Sequence, residues 1–294
     1  MEMQVCRAQL QELLDKDMIE PTASPFGASV MVIPKPNQPG KFRMIVDYRR
    51  LNKLTVPDRY PLPDIDQILS DMQGCKVFSA WDVASGFYNI PVYEPHKERL
   101  AMTTPFGQFT WKVMPMGIRN APSIFQRNMH LMFRDMPEVV HYCDDGLLGT
   151  KTVEQNFLMM LNVLQRLRDN NMAIKGSKMK LFKSSINYLG HVLSDQGLAP
   201  QKDKVQAIRD WPLPQTLKGL RGFLGLVNYY RRYIYNAADK CRPLNDMTKK
   251  GASLPQEEEE WPDAAKKAFI GLKQALCEAP LLILPDYAGA RSGA

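Results

Sequence analysis

Two adjacent aspartates, Asp144 and Asp145, interrupt an otherwise apolar stretch, and little but a β-hairpin accommodates them. Val139-Val-His-Tyr-Cys143 precedes the pair and Gly146-Leu-Leu-Gly149 follows it. Short apolar runs this close together pair as antiparallel strands, with the acids at or beside the turn. Another apolar run, Lys76-Val-Phe-Ser-Ala-Trp81, ends in Asp82. Strand-end aspartates that converge bind hard cations through oxygen. Two such cations roughly 3.5–4 Å apart can activate a 3′-hydroxyl and stabilise a leaving pyrophosphate. By itself, an Asp-Asp pair is equally a common turn sequence.

The rest of the chain supplies the elements such a hairpin needs around it. Residues 4–17 have Leu10, Leu13 and Leu14 on one side and read as an amphipathic helix. Residues 29–33 and 42–46 read as two strands of a hairpin, joined by the Pro/Gly-rich segment 34–40. Tyr60-Pro-Leu-Pro63 links to a helix over 65–72, and residues 123–134 read as a helix carrying Phe125, Met129 and Phe133. The clearest helix spans 153–169, with Thr152 and Gln155 at capping-box spacing and Phe157, Leu161, Leu164 and Leu167 as its expected apolar stripe. Tyr188-Leu-Gly-His-Val-Leu193 begins a short β element. Beyond about residue 197 the chain turns helical and basic. Leu217, Leu220, Leu224, Val227 and Ile234 mark a helix over 217–234, and Phe269, Leu272 and Leu276 another over 263–277. Glu257 to Glu260 read as a solvated loop, and Leu281 to Leu284 as a final strand.

A chain of 294 residues is long enough for two or three lobes, and 45% hydrophobic with 23% charged residues is a globular composition. The net charge of +7 favours a polyanionic partner. Cys6, Cys75, Cys143, Cys241 and Cys277 are scattered, with no C-x-x-C pair, and the four histidines form no H-E-x-x-H. This excludes a disulfide framework and a common zinc motif, and points to a reducing compartment. Neither a membrane-length apolar run nor a signal-peptide pattern is present. The expected location is therefore the cytosol, or a retroelement particle assembled there, with no membrane partner.

Six words occur in order: Val32-Ile-Pro-Lys-Pro, Phe42-Arg-Met-Ile-Val-Asp-Tyr-Arg-Arg-Leu-Asn52, Phe78-Ser-Ala-Trp-Asp-Val-Ala-Ser-Gly-Phe87, Met114-Pro-Met-Gly-Ile-Arg-Asn-Ala-Pro-Ser-Ile-Phe-Gln126, Tyr142-Cys-Asp-Asp145 and Tyr188-Leu-Gly-His191. In this the chain resembles the reverse transcriptases of LTR retrotransposons, especially those of Gypsy type, from about residue 10 to Asp286. The resemblance implies an α+β right-hand polymerase. Fingers would occupy 1–56 and 90–120, palm 57–89 and 121–196, thumb 197–250, and a partial connection lobe with a tail 251–294. It implies RNA- and DNA-templated DNA synthesis from a DNA primer and dNTPs, on RNA–DNA or DNA–DNA duplex, with two Mg²⁺ ions for which Mn²⁺ can substitute.

Residue by residue, the resemblance assigns the metals to Asp82, Asp144, Asp145 and the backbone carbonyl of Val83. Lys35 and Arg43 match fingers cations that grip the triphosphate. Ser85 and Gly86 offer backbone N–H groups to it, and Phe87 is the aromatic gate that excludes a 2′-hydroxyl. Met116 and Gly117 form the loop packed on the nucleotide, although many relatives have Phe or Gln in place of Met116. Lys178 is the candidate proton donor to pyrophosphate. Tyr142 supports the primer end, and Leu189, Gly190 and His191 match the primer grip. A separate physical argument concerns Arg221, Gly225, Asn228, Tyr229 and Arg232. These recur at helical spacing opposite the apolar stripe, as a face suited to tracking a minor groove.

Two departures from the family carry expectations of their own. Gly146 and Gly149 interrupt what is usually an apolar strand and should loosen the turn. The sequence stops soon after Asp286, before a ribonuclease H domain, so RNA cleavage is not expected of it. Two rival readings are a non-catalytic nucleic-acid-binding relic of the same fold and an unrelated carboxylate-dependent metal hydrolase. The relic would be favoured by a lost carboxylate, and none is lost; the hydrolase leaves Lys35, Arg43, Phe87 and the basic helix face unexplained. Oligomeric state is not readable.

Overall fold

In the computed structural model, residues 2–34, 38, 40–249, 251, 254–255, 257 and 258–282 are described. They divide into two compact units. One comprises Met1–Ile68, Ser79–Gly149 and Val153–Leu181; the other comprises Leu69–Phe78, Thr150–Thr152 and Phe182–Ala294.

The first unit opens with α1 (Glu2–Asp15), β1 (Ile19–Pro21), β2 (Ala28–Pro34) and β3 (Phe42–Val46), followed by α2 (Arg49–Leu54) and α3 (Ile65–Asp71), whose last turn belongs to the second unit. Next come β4 (Val77–Asp82), β5 (Met102–Thr104), β6 (Gly107–Trp111), α4 (Ala121–Phe133), β7 (Val139–Tyr142), β8 (Asp145–Thr150), α5 (Val153–Asp169) and β9 (Lys180–Lys183). A five-stranded sheet runs in the order β1-β6-β5-β2-β3, and a four-stranded one in the order β7-β8-β4-β9. The expected β2–β3 hairpin forms with Val32 opposite Met44 and Ile33 opposite Arg43. Its sheet buries Cys6 and Leu10 of α1 with Ile19, Met102, Phe109 and Trp111.

Beneath the four-stranded sheet lies a second core. Phe125, Met129 and Phe133 of α4 pack there with Trp81, Val83, Val139 and Leu148, as the spacing on α4 predicts. The stripe expected on α5 is corrected by the structure. Its buried residues are Asn156, Met160, Val163 and Leu167, while Phe157 and Leu161 are about half exposed. Hydrophobicity alone misled here, because the polar Asn156 is drawn inward by Ser79, whose hydroxyl donates to Asn156 Oδ1 at 2.5 Å.

The second unit contains β10 (Ser185–Tyr188), β11 (His191–Ser194) and β12 (Gly197–Pro200) as an antiparallel meander. It continues through α6 (Lys202–Arg209), α7 (Leu217–Tyr229), α8 (Ala237–Asp246) and α9 (Asp263–Cys277). Thr216 caps α7 by accepting from Gly219 N–H at 3.1 Å. The helix stops at Tyr229, five residues short of the expected end, and a 3₁₀ turn over Arg231–Tyr233 follows. Its buried face is Leu220, Phe223 and Val227, with Phe223 4.5 Å from Phe269 of α9 between ring centres. Leu224 is only half-buried. The α9 residues Phe269, Leu272 and Leu276 are buried as predicted. The acidic run is partly a 3₁₀ turn, Glu258–Glu260. Of the expected last strand, Leu282 forms a single bridge to Leu198, and residues 283–284 lie outside the described residues. No helix among the described residues is long and apolar enough to cross a membrane.

Candidate active site

The acidic hairpin forms as its sequence requires. Tyr142 ends β7 opposite Asp145, which begins β8, leaving Cys143 and Asp144 as the turn. Cys143 sits at φ 49°, a left-handed conformation that costs a non-glycine residue about 1–2 kcal/mol. Gln126 of α4, 1% exposed, holds it there: its Oε1 accepts from Cys143 N–H at 2.9 Å. On the neighbouring strand, Val83 N–H donates to Asp144 C=O at 2.9 Å, tying the turn to the end of β4. Asp82, Asp144 and Asp145 thus come together at one end of the four-stranded sheet.

Their electrostatics follow from that crowding. Burial, then the charges of Asp82 and Asp145, raise the pKa of Asp144 above its ordinary value. Burial and Asp82 do the same to Asp145. Burial also opposes ionisation of Asp82, but hydrogen bonds from Lys178 and Lys175 outweigh it and hold that carboxyl low. The ammonium groups lie 2.9 Å (Lys178 to Oδ2) and 3.0 Å (Lys175 to Oδ1) away. They are brought there by the chain 173–178 running beside β4, where Ala84 N–H donates to Ala173 C=O and Lys175 N–H to Asp82 C=O. The sequence assignment had Lys178 but missed Lys175, whose signal was the Lys175-Gly-Ser-Lys178 spacing itself.

Do these residues suit a divalent cation? Among the described residues, no three His, Cys, Asp or Glu side chains stand close enough to share one ion as they are, and Asp82 is turned to its two lysines. The donor set is nevertheless right in kind, since carboxylate oxygens are what Mg²⁺ takes. Asp144 Oδ1 is buried with no hydrogen-bond partner, an anionic oxygen that protein groups leave uncompensated. A cation bound there would supply what is missing.

Of the residues expected on the nucleotide side, Gly86 lies against Asp144, with Ser85 and Phe87 on either side of it in the chain. Ser85 is left-handed (φ 51°) and exposed, and Gly86 begins a 3₁₀ turn, Gly86–Asn89. A Cβ on Gly86 would lie 2.8 Å from the Phe125 ring and 3.2 Å from Asp144 Oδ1, so only glycine fits. Phe87 is half-buried, edge-on to Phe125 at 5.5 Å. Phe125, absent from the sequence assignment as a site residue, is therefore the ring that sets Phe87. Met116 is 53% exposed, and the Met116–Gly117 loop is clamped by Asn52, which donates to Gly117 C=O and accepts from Arg119 N–H, both at 2.8 Å. Arg43 is exposed on β3; Lys35 lies outside the described residues.

Gly146 and Gly149 do not interrupt β8, which is continuous from Asp145 to Thr150. The expected loosening is corrected: Gly146 is buried because the indole of Trp81 lies on its backbone, where a Cβ would come within 2.2 Å.

In the second unit, Leu189 (φ 43°) and Gly190 (φ 73°) form the two-residue turn of the β10–β11 hairpin. Tyr229 Oη donates to Leu189 C=O at 2.6 Å, and Tyr230 Oη to Gly190 C=O at 2.9 Å. His191 is 1% exposed, stacked near Tyr229 with Nδ1 2.8 Å from Tyr233 Oη. Its expected contact with primer is thereby corrected: burial keeps the ring from nucleic acid, and its place is to support the turn from inside. Burial, then Arg232, lowers its pKa to about 4. Arg221, Gly225, Asn228 and Tyr229 share the exposed side of α7, and a Cβ on Gly225 would meet nothing within 4 Å. Arg221 also donates to Thr248 C=O at 3.2 Å. Arg232 departs from the expected face, being half-buried on the 3₁₀ turn beyond the helix end.

Comparison with known proteins agrees with this arrangement. Residues 33–193 match the family model "Reverse transcriptase (RNA-dependent DNA polymerase)". The chain is 35% identical over 284 residues to the retrovirus-related Pol polyprotein from transposon 297 of Drosophila melanogaster, covering 95% of this chain and 26% of that polyprotein. It is 32% identical over 287 residues to the transposon Tf2-3 polyprotein of Schizosaccharomyces pombe, covering 97% and 21%. The chain thus spans about a quarter of the length of the curated relatives it matches. Its fold is similar to that of a foamy viral protease–reverse transcriptase solved with double-stranded DNA (TM-score 0.86, 25% identity, 96% of this chain and 49% of that one). It is also similar to one solved with an RNA/DNA hybrid (TM-score 0.83, 23% identity, 95% and 37%). With its fold that of a right-hand polymerase and Asp82, Asp144 and Asp145 brought to one acidic hairpin within the matched residues, the chain belongs to the reverse transcriptase family.

Proposed function

We propose that this chain extends a DNA primer with dNTPs on RNA and DNA templates, using Mg²⁺ held by Asp82, Asp144, Asp145 and the carbonyl of Val83. The observation that carries the proposal is the buried Asp144 Oδ1, which has no hydrogen-bond partner and feels the charges of Asp82 and Asp145. Two bound ions would activate the primer 3′-hydroxyl and stabilise the leaving pyrophosphate, and Mn²⁺ offers the same oxygen chemistry. The remaining roles fall to protein groups. Lys35 and Arg43 offset triphosphate charge, Ser85 and Gly86 present backbone N–H groups, and Met116 and Gly117 pack on the nucleotide. Phe87, backed by Phe125, leaves no room for a 2′-hydroxyl. Lys178, already within hydrogen-bond reach of Asp82, gives a proton to pyrophosphate. Tyr142 and the Leu189–Gly190 turn support the primer, and Arg221, Gly225, Asn228 and Tyr229 follow the duplex backbone. The foamy viral complexes with RNA/DNA hybrid and double-stranded DNA support both kinds of duplex as partners.

Primer extension on RNA and DNA templates, with Mg²⁺ and with Mn²⁺, tests this. Asp82→Asn and Asp144→Asn should abolish extension while primer–template binding largely survives. Near-parental extension by either variant would refute the metal assignment.

A further inference from the structure

Trp81 and Gly146 meet in a contact that stability alone explains poorly. Trp81 is 2% exposed, and a β-carbon on Gly146 would lie 2.2, 2.4 and 2.5 Å from three atoms of its indole. No other residue than glycine fits at 146 while tryptophan stands at 81. Trp81 Nε1 is buried without a partner, and so are both ring nitrogens of His141, which lies directly opposite Gly146 in the β7–β8 ladder. Buried polar groups left unpaired are destabilising, so an aliphatic residue at 81 with a small apolar one at 146 would fill the same space at less expense.

What the pair does hold is the local twist and pleat of two hydrogen-bonded strands. Trp81 immediately precedes Asp82 on β4, and Gly146 immediately follows Asp145 on β8, with β4 and β8 adjacent in the sheet. Side chains alternate across a strand, so the indole and the bare face of Gly146 lie on the core side while the two carboxylates lie on the other. Phe133, at 6.3 Å from Trp81 and 6.1 Å from His141 between ring centres, backs both. We propose that Trp81 and Gly146 form an interlocked positioning pair: the indole seated on the glycine backbone sets the local twist and pleat of β8 against β4 and thereby the geometry of Asp82 and Asp145. The proposal rests on those carboxylates being the metal-holding ones. Neither residue touches substrate; both act through the aspartate beside them.

The test is a double-mutant cycle in the full chain with Gly146→Ala, Trp81→Leu and the double variant. Each is assayed for kcat, KM for dNTP, the Mg²⁺ concentration at half-maximal rate, and melting temperature. Gly146→Ala should lower kcat about 100-fold, the scale of an ångström of misplacement, and raise the Mg²⁺ requirement, with KM for dNTP held within about threefold. Adding Trp81→Leu should restore kcat at least about tenfold, a coupling typical of residues in direct contact. Gly146→Ala within threefold of the parent, or a double variant whose loss is the product of the single losses, overturns the proposal. If Gly146→Ala does not accumulate folded, Trp81→Leu and the double variant decide: the double must fold and be at least as active as Trp81→Leu, and a less active double overturns the pairing. An inactive parent, or an active Asp82→Asn, would count against the metal assignment rather than against the pair.

Discussion

Replacing Gln126 with leucine removes the group that holds the Cys143–Asp144 turn without touching any proposed ligand. Leucine is close in size and apolar, so the core around α4 stays filled. What disappears is the acceptor for Cys143 N–H, at 2.9 Å in a site where Gln126 is 1% exposed, together with a longer donation from Nε2 to His141 C=O at 3.5 Å. An N–H left unpaired in such surroundings costs about 1–3 kcal/mol. Cys143 meanwhile keeps its left-handed φ of 49°, itself unfavourable by about 1–2 kcal/mol, and the turn loses what offsets it. Taking about 2 kcal/mol as the net loss, the equilibrium constant for the competent turn falls about 30-fold, and its populated fraction by at most that factor. Single-turnover extension should show this in the maximal rate, with the dNTP dissociation constant nearly unchanged, because the nucleotide-side residues do not move. Cys143→Gly added to Gln126→Leu should recover about fivefold, since glycine adopts positive φ without strain. A Gln126→Leu protein with parental melting temperature and a maximal rate within twofold of the parent would show that the hydrogen bond does not govern the turn.

Other expectations are simpler to check. Phe87→Val should raise ribonucleotide incorporation relative to deoxynucleotide, read as the ratio of kcat/KM values; an unchanged ratio would reduce Phe87 to packing. Arg221→Ala should weaken duplex binding and reduce the magnitude of the slope of log K against log salt by about one, as expected for one lost phosphate contact. His191 is held near a pKa of about 4 against 6.5 when unfolded, so the unfolded state binds more protons between those values. Its contribution, at most about 3 kcal/mol, is present above pH 6.5 and is lost as pH falls toward 4. Melting temperatures of His191→Phe across that range should fall less steeply than those of the parent.

Local pattern carried the hairpins and helices well, because apolar alternation and turn residues act over a few positions. The acidic turn, the β2–β3 hairpin and the buried faces of α4 and α9 were legible in this way. What escaped depended on partners distant in sequence. The inward face of α5 hinges on Asn156 meeting Ser79, and the end of α7 on tyrosines turning back to Leu189 and Gly190. His191 was read as a contact because its motif is a family word, while its burial is a matter of three surrounding tyrosines. Gly146 was misread for a similar reason. A glycine in a strand signals either weakness or close approach, and only Trp81 decides between them.

The two phenolic hydrogen bonds to Leu189 and Gly190 have a mechanical meaning. A hairpin turn tethered at consecutive carbonyls to the end of a helix is not a loop that adjusts by itself. Any twist or slide of α7 is delivered to the turn with little slack, and any load on the turn is returned to the helix. The β10–β11 hairpin and α7 should therefore respond to a passing duplex as one stiff lever, with Tyr229 and Tyr230 as its rivets. Loosening either rivet, for instance with Tyr230→Phe, would introduce play into a part that otherwise has none.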